Sequence, residues 1–228
     1  MRERILGVAL APWFLSSLAA INALVFTLSV SIPDDPHPFL DEWGPVSILS
    51  GFQLLVCGIL ALEIYKLRPA WIWRLIGWGF FFLCADEMLQ LHESSDRLIH
   101  WILGVQQTRI TNHLDDVIVG LYGLAGLAAL FAGRAEIVFF RRQWWLFALG
   151  FTGFAVMVAF DLMGGDLGAL WSYLDVSAHQ GKVWAEVVEE GFKLAGGFFC
   201  VTALRKCWDM LQAPASRLYP NAPPVPAE

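Results

Sequence analysis

The chain has 228 residues, of which 57% are hydrophobic and 16% charged, with 11 tryptophans and a formal net charge of −6. Soluble domains carry about 25% charged residues, so this composition excludes an ordinary soluble globular protein. It points to an all-α, polytopic membrane protein.

Stretches apolar enough to span a bilayer, about 20 residues each, fall at 5–31, 45–64, 72–93, 114–133, 143–163 and 183–204. They predict a six-helix transmembrane domain over residues 1–211. The first stretch follows "MRER", and its run of 28 uncharged residues is too long for the signal-peptide core of about 7 to 15. It reads as an uncleaved first span. The second carries Gln53 and Glu63, which together with Asn22 of the first span suit interhelical hydrogen bonding.

The third stretch is almost wholly apolar through "LIGWGFFFLC" and then runs into "ADEMLQLHE", which brings Asp86, Glu87, His92 and Glu93 into one span. The following "LIHWILGV" is short and amphipathic, and predicts an interfacial helix roofing these polar groups. The fourth stretch is entered through "NHLDD", where His113 and Asp116 stand one helical turn apart. Its Gly120, Gly123 and Gly126, like Gly196 and Gly197 later, predict close helix packing. The fifth carries Asp161.

In the sixth, Glu186, Glu190, Lys193 and Gly197 are spaced i, i+4, i+7 and i+11 and share one face. Glu189 and Lys193 are also one turn apart. The tail, residues 212–228, is rich in proline and alanine and is expected to be disordered. Cys57, Cys84, Cys200 and Cys207 show no metal-type spacing and suggest no disulfide framework.

Bases near helix ends set orientation. Eleven of the 15 basic residues fall on one side, from Arg2 and Arg4 through Lys66, Arg68, Arg74, Arg134, Arg141 and Arg142 to Arg205, Lys206 and Arg217. That side is read as cytoplasmic, with both termini inside and the membrane as the bacterial inner one. All five histidines fall on the outer half.

A helix rises about 1.5 Å per residue, so distance from the cytoplasmic bases estimates depth. His92 and Glu93, Asp116, Asp161 and Glu186 each lie roughly 27–28 Å up their helices. A deeper tier, Asp86, Lys193, Glu87, Glu190 and Glu189, lies at roughly 18–24 Å. Each mid-bilayer charge costs roughly 2.5–3.5 kcal/mol. One lysine offsets one carboxylate, so the surplus of acid suggests a bound cation or stored protons.

His92, Glu93, His113, Asp116, Asp161 and Glu186 make a set of N and O donors suited to a divalent metal, zinc ahead of iron or manganese. Below them Glu190 or Glu186 would act as general base, with Asp86, Glu87 and Lys193 completing the catalytic group. Lys193 would keep the deeper carboxylates charged or stabilise developing negative charge.

The "DE" and "HE" separated by four residues (Asp86, Glu87, His92, Glu93), together with "VVEEGFKL" around Glu189 and Glu190, resemble a group of bacterial multi-pass proteins of unassigned activity. In layout the chain also resembles the alkaline-ceramidase-like membrane hydrolases, which hold zinc with three histidines and an aspartate in a seven-helix bundle. Glu186 and Glu190 stand where that superfamily has paired histidines in its final span.

The leading expectation is a metal-dependent hydrolase of a lipid or other amphiphile, with its cavity opening to the periplasmic side. The alternatives are a cation- or proton-coupled transporter, which requires a polar path continuing inward, and a non-catalytic subunit of a larger membrane complex. Membrane lipids and a membrane-protein partner are the expected partners, with no nucleic acid.

Overall fold

The computed structural model describes residues 2–31, 36–40, 43–103, 114–163, 173 and 177–213, and among these the secondary structure is all helical. Helix α1 (Arg2–Ala9) and α2 (Phe14–Ser31) divide the first apolar stretch. Pro12 lies between them; it has no N–H to donate and biases the residue before it away from helix. The single span expected over 5–31 is therefore two helices. A short α3 (His37–Leu40) precedes α4 (Pro45–Leu67). Pro45 opens α4 at a position where a missing N–H leaves no bond unmade.

Helix α5 (Trp71–Leu89) ends where Gln90 adopts left-handed backbone angles, φ 53° and ψ 47°, and returns its N–H to the Asp86 carbonyl. The next helix, α6 (Leu91–Leu103), starts from this turn. This corrects the expected third span: His92 and Glu93 belong to α6, so their depth cannot be counted up α5, and Asp86 and Glu93 share no helix face. Nothing in a lone glutamine announces a left-handed cap, since glycine or asparagine is the usual signal.

The remaining helices are α7 (Leu114–Ala132), α8 (Arg134–Phe139), α9 (Trp144–Met163) and α10 (Ala178–Gln212). At the start of α10 the Ser177 hydroxyl accepts the Gln180 N–H at 3.3 Å, an N-cap that begins the helix five residues before the apolar stretch. The tail expected to be disordered lies almost wholly outside the described residues.

Six of the described helices have 18 or more residues, and they overlap the six apolar stretches. Two segments, Phe14–Ser31 and the one that contains α4 and ends at Leu67, are both long and apolar enough to cross a membrane. Shorter apolar helices run over Gly120–Ala132 and Trp144–Phe160, while charged residues stand within α5 and α10. Large apolar side chains cover the outer surfaces, among them Leu24, Trp78, Leu124 and Phe131, the last 71% exposed.

A central row runs α5, α4, α10, α9, with α2 lying over α4 and α10 and α7 touching α5 and α9. Chain neighbours alternate in direction. Asn22 of α2 meets Gln53 of α4, and Phe26 lies against Gly191 of α10, so α2 runs opposite to α10. Between α9 and α10 the backbones nearly touch: a Cβ on Gly153 would stand 2.9 Å from the Gly196 Cα. Close approach of this kind brings helices together where lipid removes the hydrophobic drive. In contrast, a Cβ on Gly120, Gly123 or Gly126 would meet nothing within 4 Å. The packing expected of those three glycines is corrected for the described residues, because α7 lies loosely at the edge of the row.

The main core, with Leu60, Ile64, Trp73, Phe140, Val201 and Leu204 at its centre, fills the half of the bundle that holds the bases. At that end Arg205 donates to the Ala9 and Ala11 carbonyls and pairs with Asp209 at 2.8 Å. A smaller core of Leu40, Val46, Val187 and Leu194 occupies the opposite half.

Candidate functional site

Between the two cores α5, α4 and α10 bring charged side chains together. Lys193 and Glu190 stand one turn apart on α10, and the Lys193 ammonium lies 2.6 Å from Glu190 Oε1. It also lies 3.1 Å from Glu87 Oε1, contributed by α5. Helix α4 separates α5 from α10 in the row, and the side chains can meet across it because it presents the small buried residues Ser47, Ser50 and Gly51 there. The Ser47 hydroxyl donates to Glu87 Oε1 at 2.5 Å.

Two carboxylates thus share one ammonium, and the adjacent Asp86 is buried as well, with 6% of its surface exposed. Glu190 is equally buried, and its second oxygen, Oε2, has no hydrogen-bond donor. An ionised oxygen without a donor is costly in a low-dielectric interior, by about 1–3 kcal/mol or more. The bare oxygen is therefore the place where this network can accept a proton or a cation. The ion pairs of Lys193 run to Glu190 and Glu87.

One turn further along α10 from Lys193, Gly197 makes room for the side chain of Gln53, which is fully buried at 0% exposure. Gln53 Nε2 donates to Asn22 Oδ1 at 2.8 Å, while Gln53 Oε1 has no donor. This is a polar step toward the basic end that the apolar faces of the third and sixth stretches did not reveal. Ser47 was missed. The signal available for it was the small-residue turn at Ser47, Ser50 and Gly51, opposite a charged helix.

The outer tier is less fully described. Glu186 lies 3.9 Å from Lys182 and has a further interaction. The side chains of His92, Glu93, Asp116 and Asp161, and the whole of His113, lie outside the described residues, so the expected metal set is represented by Glu186 alone. Among the described residues no group of three or more histidine, cysteine, aspartate or glutamate side chains could hold a metal.

A second ion cluster lies at the basic end. Arg68, in the turn between α4 and α5, donates to both oxygens of Glu136 on α8, at 2.5 and 2.9 Å. Trp73 Nε1 donates to the same carboxylate at 3.0 Å, and the Arg68 guanidinium stacks 3.8 Å over Phe139. Burial favours the neutral acid, but the bonds from Arg68 and Trp73 and the Arg68 charge outweigh it and hold the Glu136 carboxyl below its ordinary value of 4.5.

The family model described as Domain of unknown function (DUF8692) matches residues 3–207. The chain belongs to this family. The match takes in Ser47, Gln53, Glu87, Glu190 and Lys193, so the whole of the charged centre lies within the DUF8692 region. No curated protein and no solved structure matches this DUF8692 chain.

Proposed function

We propose that the chain is an integral protein of the bacterial inner membrane. Its six long helices cross the bilayer, both termini are cytoplasmic, and the Glu87–Lys193–Glu190 centre exchanges protons with the periplasmic side. Glu190 is the acceptor. The observation that carries this reading is the asymmetry of its carboxylate, with Oε1 held by Lys193 and Oε2 buried without a donor. The apolar outer surfaces and the polarised bases support the membrane placement.

The chemistry that suits such an acceptor beside lipid is hydrolysis of a lipid or another amphiphile. Glu190 takes one proton from water, the resulting hydroxide bonds to the acyl carbon, and the same proton passes to the leaving group as its bond breaks. Glu87 and Ser47 keep Lys193 in place, and Lys193 holds Glu190 in a fixed rotamer. Glu190 can accept a proton with or without the metal expected of the outer tier.

One observation favours a second reading, a proton-coupled transporter: the Gln53–Asn22 pair supplies a polar step below Lys193. Glu190→Gln decides between them. In the first reading it removes hydrolysis of ester- and amide-linked amphiphiles by at least about 100-fold, and vesicle acidification assays show no proton flux in wild type. In the second, wild-type vesicles leak protons and Glu190→Gln stops them. Wild type with neither activity overturns both and leaves the non-catalytic subunit.

A further inference from the structure

At the basic end, a cavity of about 430 Å³ opens between the start of α9 and the end of α10. Its lining is Arg142, Gln143, Trp145, Lys206, Asp209 and Met210. Arg142 and Lys206 are exposed and make no ion pair among the described residues. The acid in the lining, Asp209, is already engaged by Arg205 at 2.8 Å, so the two cations face the cavity without an opposing charge. Gln143 Oε1 is buried and lacks a donor. Trp144 and Trp145 are exposed beside it, and Leu149 is exposed further along α9.

We infer that this cavity binds an anionic phospholipid with a hydroxyl-bearing headgroup, its phosphate between Arg142 and Lys206. The headgroup hydroxyl donates to Gln143 Oε1, the tryptophans lie at headgroup level, and an acyl chain runs past Leu149. Basic pockets at the cytoplasmic ends of membrane helices suit such headgroups, and each lysine or arginine near the surface adds to the attraction. The apolar flank selects a lipid over a free phosphate. The inference rests on the membrane placement and is independent of the role of Glu190.

Native mass spectrometry of the full-length protein in detergent tests it, after delipidation and addition of phosphatidylglycerol, phosphatidylcholine or inorganic phosphate. Wild type and Glu190→Gln should each retain one phosphatidylglycerol in preference to phosphatidylcholine. The double variant Arg142→Gln, Lys206→Gln should bind it roughly 30-fold more weakly, the effect of two surface bases, with an unchanged melting curve. Trp145→Ala should weaken it as well. Equal retention of both lipids, displacement by millimolar phosphate, or full binding by the double variant would overturn the assignment. A protein soluble without detergent would instead remove the membrane placement itself.

Discussion

The Lys193 centre and the Arg68–Glu136 cluster each set a base against glutamate carboxylates, and they are satisfied to different degrees. In the Arg68–Glu136–Trp73 cluster both carboxylate oxygens are occupied by donors, and one cation meets one anion. In the Lys193 centre one cation serves two carboxylates, and a buried oxygen is left bare. A satisfied pair fastens helices and has nothing left to offer a ligand. An under-satisfied one holds helices together only while its single cation stays, and it retains capacity for a proton.

The sharpest way to break this contrast is to remove the shared cation. Lys193→Met leaves Glu87 and Glu190 facing each other in a buried site, and should cost about 3–5 kcal/mol in detergent unfolding titrations. Adding Glu87→Gln and Glu190→Gln to the same chain should recover more than half of that loss. A single variant as stable as wild type would mean that the ion pairs do not hold α5 to α10.

A middle-sized effect separates the packed glycines from the open ones. Gly153→Leu forces α9 from α10 and should cost about 1–3 kcal/mol, whereas Gly120→Leu on the loose edge of α7 should change stability by less than about 0.5 kcal/mol. Equal losses in unfolding titrations would mean that α7 is packed as tightly as α9.

The smallest effect belongs to the satisfied cluster. Glu136→Gln should cost about 1 kcal/mol or less, since Arg68 is one-third exposed at 34%. Its pH dependence has a definite sign. The folded carboxyl titrates below its unfolded value of 4.5, so its stabilisation is present above that pH and fades as pH falls through the folded value. The gap between wild type and variant should therefore close in acid; a gap that widens there refutes the assignment.

The long helices were legible because their apolar stretches are continuous and their bases sit at the ends. The left-handed turn at Gln90 was not, because its side chain carries no backbone preference strong enough to read, and it moved His92 and Glu93 to a separate helix. Within the centre, Glu87, Glu190 and Lys193 could be found because a charge in an apolar run stands out by its desolvation cost. Gln53 was legible as a hydrogen-bonding partner of Asn22 but not as a neighbour of the centre, and Ser47 was not legible at all, since neutral polar residues serve equally as packing and only the neighbouring helix decides between the uses. The count from the bases gives Glu87, Glu190 and Lys193 similar heights, and the ion pairs join them, because α5 and α10 are each unbroken between base and acids.

The bond from Arg205 to the Ala9 carbonyl joins positions 196 residues apart. At ribosomal speeds of about 5–20 residues per second, α1 waits roughly 10–40 s for its clasp to be synthesised. A nascent chain that stalls before α10 emerges leaves α1 unfastened, so synthesis of α10 and closure of the bundle are coupled.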